Sequence, residues 1–117
     1  MRQPDVRRYL FDIQCACSLI REFTEGMTFE EYKADVRTHS AVERQFEIIG
    51  EALNQMLRVF PEMEENVSHA PRIISFRNAL IHGYADVSHK VVWGIVESGL
   101  PLLSAEVQAL LSGDLQP

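Results

Sequence analysis

The sequence predicts an all-α protein, folded as a four- to five-helix antiparallel bundle. Apolar residues recur three and four positions apart along most of the chain, which is the spacing of amphipathic helices. Helix-start patterns precede several of these stripes, and no segment shows the sustained alternation with turn dipeptides that is typical of strands. Several connections are short, so neighbouring helices are expected to run antiparallel.

Two helices are predicted in the first third of the chain. The first covers residues 5–23, and Gly26 breaks its pattern. Thr28, followed three residues later by Glu31, has the spacing of a capping box and predicts a short second helix that reaches about Val36. The apolar stripe of the first helix comprises Val6, Leu10, Ile13, Cys17 and Ile20.

The third helix has the strongest pattern in the sequence. It is predicted to start near Ser40, with Glu43 three residues on, and to run for about five turns until Pro61 ends it. The polar residues 62–70 are predicted to be a loop with room for one helical turn. The stripe of this helix comprises Val42, Phe46, Ile49, Leu53, Met56, Leu57 and Phe60.

Prolines and a serine mark the remaining helices. Pro71 suits a first helical position and predicts a fourth helix that continues up to Gly83. Ser88 is a cap candidate for a fifth helix, and Pro101 falls inside its continuation, where a kink is expected.

Length and composition indicate a single domain over residues 1–117. An apolar fraction of 46% is too high for a disordered chain, and this length supports one continuous core. The formal net charge is -6, which excludes a generally basic surface. Any nucleic acid must therefore be bound locally.

Cysteine usage and hydropathy indicate a cytoplasmic protein. Cys15 and Cys17 lie two positions apart on a predicted helix, where ~100° per residue points them to different sides. We interpret them as reduced thiols, with a Cys-x-Cys metal site as the weaker alternative. No stretch approaches the ~20 apolar residues of a membrane span, and no apolar run follows the basic start. We therefore expect neither export nor membrane insertion.

Residues 77–84 (RNALIHGY) are the one candidate for a chemical centre. They place a guanidinium (Arg77), an amide (Asn78), an imidazole (His82) and a phenol (Tyr84) close together. Arginine matches phosphate geometry, histidine moves a proton near neutral pH, and tyrosine donates a hydrogen bond or stacks on a base. These groups are the parts of a phosphodiester-cleaving site.

Helical geometry limits this interpretation. A five-residue step places His82 roughly 140° around the helix from Arg77, whereas Asn78 and His82, four apart, align. Either the helix ends near Gly83 and turns His82 and Tyr84 back, or a second copy of the chain supplies the missing half across a two-fold axis. The structural alternative is an arginine paired with a carboxylate and a histidine that caps a helix C-terminus.

The segment matches the R-x4-H-x-Y signature of HepT-like toxins, a branch of the HEPN superfamily of nucleotide-binding and ribonuclease domains. The chain resembles this family in order along nearly its whole length. The similar stretches are residues 9–13 (YLFDI), 41–43 (AVE), 48–52 (IIGEA), 77–78 (RN), 92–93 (VW) and 100–101 (LP). Where the family often has Pro-Trp ahead of the arginine helix, this chain has Ala70-Pro71-Arg72.

The resemblance implies a HEPN-like fold and a metal-independent endoribonuclease without a cofactor. It also implies a homodimer with both motifs facing one cleft at the interface. His82 would assist proton transfer as the RNA 2′-hydroxyl attacks the adjacent phosphate and leaves a 2′,3′-cyclic phosphate. Arg77 would stabilise charge on the phosphate oxygens. Asn78 would position a neighbouring group, Tyr84 would line the cleft, and Glu51 would point towards the interface.

A protein partner is also implied by the resemblance, in the form of an MntA-like nucleotidyltransferase antitoxin of a type VII toxin–antitoxin system. Such an antitoxin transfers AMP from ATP to the motif tyrosine, which would be Tyr84 here. The added charge and bulk would lie where RNA must bind. Two rival interpretations stay open: a HEPN-type nucleotide-binding or partner subunit that does not cut RNA, and a purely structural dimerisation bundle.

Other conspicuous residues have simpler interpretations. Glu47 and Glu51 lie four apart, but no histidine follows a glutamate by three, as in di-iron bundles, so an Arg44-paired or solvated face is favoured over a metal. Gly50 would permit a close helix approach. Trp93 is predicted to be core. A basic N-terminal cluster, either solvated or RNA-steering, comprises Arg2, Arg7 and Arg8.

Overall fold

The computed structural model describes residues 5–83 and 87–113, which contain six α-helices and no strand. The predicted all-α class is therefore confirmed. A 3₁₀ helix (Pro61–Asn66) links α3 to α4, and a π-helical turn (Ile95–Gly99) links α5 to α6. The α-helices are α1 (Val6–Thr24), α2 (Phe29–Ala34), α3 (Val36–Val59), α4 (Ala70–His82), α5 (His89–Gly94) and α6 (Leu100–Ser112).

Local hydrogen bonds set the start of each of the first two helices. The Asp5 carboxylate accepts a hydrogen bond from the Arg7 N–H at 2.9 Å and caps α1. The predicted capping box of α2 is confirmed. The Thr28 hydroxyl accepts from the Glu31 N–H at 3.1 Å, and the Glu31 carboxylate accepts from the Thr28 N–H at 2.8 Å. Gly26, at φ +75°, makes the left-handed turn between α1 and α2.

The predicted boundary between the second and third helices was wrong. The sequence predicts a second helix to Val36 and a new start near Ser40, but α2 ends at Ala34 and α3 begins at Val36. Asp35 supplies the cap, because its carboxylate accepts from the Thr38 N–H at 3.1 Å and the Thr38 hydroxyl at 2.8 Å. Ser40 therefore lies inside α3, where its N–H already has a helical partner.

Two predictions about irregular segments need adjustment. Residues 62–70, predicted as a loop, are mostly taken up by the 3₁₀ helix, which begins at Pro61 directly after α3. The irregularity predicted as a kink at Pro101 is a π turn just ahead of it, in which the Leu100 N–H bonds to the Ile95 carbonyl five residues back. Proline has no N–H to donate to the preceding turn, and both prolines and π turns are recognised sources of irregularity in a helix. Ser88 caps α5 as predicted, accepting from the Val91 N–H at 3.2 Å.

α3 is the central helix, packed against α1, α4 and α2, while α1 also packs against α6. Hydrogen bonds show that α1 and α6 run antiparallel. Arg7, at the start of α1, donates to the carbonyls of Leu111 and Gly113 at the end of α6. Gln14, further along α1, bonds to Gln108, which lies earlier in α6, at 3.0 Å.

The buried apolar side chains of the described residues form one cluster, to which all six α-helices contribute. Cys17 is buried in it, whereas Cys15 is exposed, so the two thiols face different sides of α1, as their spacing predicts. Trp93 packs against the edge of this core, with its ring 5.0 Å from that of the buried Tyr32. Across the described ranges, no helix is both long and apolar enough to cross a membrane.

Candidate active site

Arg77 lies in α4 and faces a cleft of about 440 Å³ between α1, α3 and α4. Its side chain is 22% exposed, so the guanidinium reaches the cleft while its stem is packed. The other charged residues that line the cleft are Arg8, Asp12, Arg44, Glu47 and Glu51. Cations and anions are thus balanced, and the cleft can bind phosphate through individual arginines but not through an excess of positive charge.

The close approach of α3 to α4 depends on Gly50. A Cβ placed on Gly50 would lie 2.6 Å from Cγ of Arg77, well inside the contact distance of two carbon atoms. Only glycine leaves room for the base of the Arg77 side chain at this crossing. The predicted close approach at Gly50 is therefore real, and it occurs between two helices of the same chain.

Two neighbours hold the Arg77 guanidinium. Its Nη2 forms an ion pair with the Glu51 carboxylate, and its Nη1 donates to Oδ1 of Asn78 at 2.7 Å. Gln55 in turn donates to Glu51 at 2.9 Å. The structure therefore brings Arg77, Asn78 and Glu51 together, and α3 carries the anion that orients the arginine of α4.

His82 is the last residue of α4 and is exposed. Gly83 ends the helix at φ +69°, and its N–H donates to the Ala79 carbonyl at 3.1 Å, which confirms the predicted stop. Because α4 stays helical from Arg77 to His82, the two side chains leave it about 140° apart. His82 is not one of the described residues that line the Arg77 cleft. The predicted motif tyrosine, Tyr84, lies outside the described residues.

α1 contributes residues to the cleft that lie outside the motif of residues 77–84. Arg8 and Asp12, four apart, share one face of α1, and Tyr9 lies beside them. The four-residue spacing of a cation and an anion on one helix is the signal that could have found them. Of the predicted basic cluster, Arg7 instead bonds to the end of α6, and Arg2 lies outside the described residues.

The two carboxylates weighed as a metal site are each engaged by an arginine. Glu47 pairs with Arg44 at 3.2 Å, as the sequence favours, and Glu51 pairs with Arg77. A different group has the geometry to hold a metal: His39, Glu43 and His89, whose ligand atoms all lie within 4.8 Å of one another. The sequence does not reveal this group, because His89 comes from a different helix.

A family model described as Ribonuclease HepT-like matches residues 13–110 of the chain. That range includes α4 with Arg77, Asn78 and His82, and the part of α3 that contains Gly50 and Glu51. The match therefore covers the elements that build the Arg77 cleft, apart from the first residues of α1.

Individual relatives agree with the family model. A Thermococcus cleftensis protein named as a probable ribonuclease HepT is 35% identical over 102 residues, which covers 87% of this chain and 92% of the relative. A Methanocaldococcus jannaschii protein named as a candidate RNase is 31% identical over 116 residues, covering 95% of this chain and 91% of the relative. A third, from Caldanaerobacter subterraneus and also named as a candidate RNase, is 32% identical over 111 residues, covering 95% and 96%. No solved structure gives a significant match.

Proposed function

Because the chain belongs to the HepT-like ribonuclease family, we propose that it is a metal-independent endoribonuclease whose site is completed by a second copy of the chain. The observation that carries this proposal is the setting of Arg77, which is aimed into a polar cleft and oriented by Glu51 and Asn78. A guanidinium held in this way is suited to neutralise charge that develops on a phosphate as its linkage breaks.

His82 is proposed to transfer the proton of the RNA 2′-hydroxyl. The oxygen of that hydroxyl attacks the adjacent phosphorus, the bond to the 5′-oxygen breaks, and that oxygen takes up a proton, so that the products are a 2′,3′-cyclic phosphate and a 5′-hydroxyl. Arg77 binds the non-bridging oxygens during this step. Because the reaction needs only proton transfer and charge stabilisation, no metal ion is required for it.

The need for two copies follows from the geometry of α4. One unbroken helix points Arg77 and His82 in directions about 140° apart, so a single chain does not aim both at one phosphate. A two-fold axis near the end of α4 would place the imidazole of one protomer beside the guanidinium of the other. Ile81, which lines the cleft and is 48% exposed, supplies apolar surface for such an interface.

The test is a cleavage assay on purified RNA in EDTA with the Arg77→Ala and His82→Ala variants. We expect each to lose about 10²–10⁴-fold in rate, as is typical when a positioned proton-transfer or charge-stabilising group is removed. Matched controls are Arg72→Ala, an exposed arginine of the same helix, and His69→Asn, an exposed histidine ahead of it. Full activity in a well-folded His82→Ala variant would refute the assignment.

Mixing the two inactive variants tests the shared site directly. If each site combines Arg77 of one protomer with His82 of the other, a mixed dimer regains one intact site of two. After full subunit exchange, roughly a quarter of the wild-type rate should return, since about half of the dimers are mixed. No recovery, with mixed dimers demonstrated by mass spectrometry, would show that each site lies within one chain. RNA binding without cleavage in the wild type would favour a binding subunit.

We further propose that Tyr84 is the target of AMP transfer by an MntA-like nucleotidyltransferase antitoxin. This part rests on the motif position of Tyr84, two residues after His82. Co-expression with such an enzyme should add the mass of one adenylyl group to the chain, with release of pyrophosphate from ATP, and Tyr84→Phe should abolish the addition. An unchanged wild-type mass, with the partner active on its own substrate, would contradict the proposal.

A further inference from the structure

A cluster of two histidines and one glutamate lies away from the Arg77 cleft. His39 and Glu43 are four apart on one face of α3, and His89 is the first residue of α5. Nδ1 of each histidine lies 3.9 Å from the same oxygen of Glu43, Oε2. The two imidazole rings are 4.1 Å apart at their centroids and tilted by 35°. Three ligand atoms thus converge on one point between two helices.

We propose that His39, Glu43 and His89 bind a divalent transition-metal ion such as Zn²⁺. Two imidazoles and one carboxylate form a ligand set that leaves a fourth, open position on a tetrahedral ion. An ion at about 2.1 Å from each ligand atom requires these atoms to lie roughly 3.4 Å apart. The two separations of 3.9 Å, and the third, which is within 4.8 Å, must close to that distance by side-chain rotation.

Polar atoms left without partners around this cluster support the assignment. Nδ1 of His89 is buried and has no hydrogen-bond partner in the described part of the chain, and the same holds for the hydroxyl of Tyr32. Tyr32 is itself fully buried, and its ring stands edge-on to both imidazoles, at 6.1 Å from His39 and 6.3 Å from His89. Buried polar atoms normally have hydrogen-bond partners, so these two unpartnered atoms favour a bound ion at the cluster.

Tyr32 is placed to support the site without binding the ion. Its buried hydroxyl belongs to a phenol, which can donate as well as accept a hydrogen bond. A neutral phenol can donate a hydrogen bond to Glu43 or to a molecule at the open position, as outer-shell partners of metal ligands do. The side chains of Glu43 and His89 are 32% and 36% exposed, so an ion can enter from solvent.

A bound ion would join α3 to α5 and should therefore stabilise the fold. It would not take part in RNA cleavage, because Arg77 and His82 lie outside the cluster. Metal binding and cleavage in EDTA are thus independent outcomes, and either can fail alone.

The experiment uses the full chain without a histidine tag, titrated with Zn²⁺ by calorimetry and with Co²⁺ by visible absorption. We expect one ion per chain and a d–d spectrum of tetrahedral intensity. His39→Gln and His89→Gln should each weaken binding by more than about 100-fold, the upper end of what an outer-shell change costs. At a free Zn²⁺ concentration of about 100 times Kd, the Tm should rise by on the order of 10 °C.

His69→Asn is the matched control, since it removes an exposed histidine outside the cluster at a left-handed backbone position that asparagine tolerates. It should leave affinity unchanged. If a cluster variant does not fold, NMR of the wild-type histidine side chains tests the site instead. Zn²⁺ should shift the imidazole signals of His39 and His89 and leave that of His69 in place. The proposal is overturned by no saturable binding, by binding that survives both glutamine variants, or by shifts confined to other histidines.

Discussion

Gly50→Ala tests whether the α3–α4 crossing positions Arg77. The new Cβ would lie 2.6 Å from Cγ of Arg77, and the contacted atoms are at the base of that side chain, next to its backbone. Rotation of the guanidinium end cannot relieve the clash. Either α4 moves away from α3, or Arg77 adopts a strained rotamer.

Two opposing terms set the magnitude. Overpacking of this kind costs about 1–3 kcal/mol, whereas replacing glycine by alanine inside a helix gains about 0.5–1 kcal/mol. We therefore expect a net destabilisation near 1 kcal/mol. Gly94→Ala is the matched control, because Gly94 is also helical and a Cβ there meets nothing within 4 Å. The helix-propensity term is common to both variants, so their difference isolates the contact cost.

Urea unfolding followed by circular dichroism measures both stabilities, and the m-values should stay equal. Cleavage should fall further than stability, because a shift of about 1 Å in a charge-stabilising group can cost ~10²-fold in rate. Gly94→Ala should leave cleavage unchanged. If Gly50→Ala is as stable as Gly94→Ala and fully active, Gly50 does not set the position of Arg77.

Three further predictions concern individual side chains. Glu51→Gln should lower the free energy of unfolding by less than about 1 kcal/mol, since the Glu51–Arg77 ion pair is partly exposed. It should nevertheless slow cleavage, because Glu51 orients Arg77. In an Arg77→Ala background the same substitution should have no further effect on the rate. Burial raises the pKa of the Cys17 thiol to about 12, so an aromatic disulfide reagent should react with Cys15 alone in the native protein and with both thiols in urea; two fast thiols in the native state would contradict this. The cap hydrogen bonds hold the pKa of Asp35 below its usual range, so its contribution to stability is present above the unfolded pKa and lost as the pH falls through the folded value. The Tm advantage of the wild type over Asp35→Asn should accordingly shrink below about pH 4, and a constant difference down to pH 2 would argue against it.

Most of the helical framework was predictable because its signals are local. The capping box at Thr28 and Glu31 and the stop at Gly83 involve bonds within four residues, so the pattern that encodes them is visible in the chain itself. The error at Ser40 has the same origin. Ser40 and Asp35 both carry acceptable cap side chains, and local sequence does not rank them, whereas the structure shows Asp35 with both Thr38 bonds made.

The site was predictable as a set of residues but not as an arrangement. The motif identified Arg77, Asn78 and His82, and helical geometry already showed that the first and last diverge. It did not predict that Glu51, 26 positions away, engages the guanidinium directly. It also did not place Arg8 and Asp12 of α1 in the same cleft.

The sequence by itself determined the all-α class, the caps at Thr28 and Ser88 and the family, because these depend on hydrogen bonds and periodicity within a few residues. Only the tertiary structure decided which helices touch, and with them the Gly50–Arg77 crossing and the meeting of His89 with His39 and Glu43. Those contacts join residues that are far apart in the chain, and their geometry is set by how whole helix faces pack against α3. The residues that meet in the Arg77 cleft and in the group of His39, Glu43 and His89 are thus set by helix packing, which no short sequence pattern encodes.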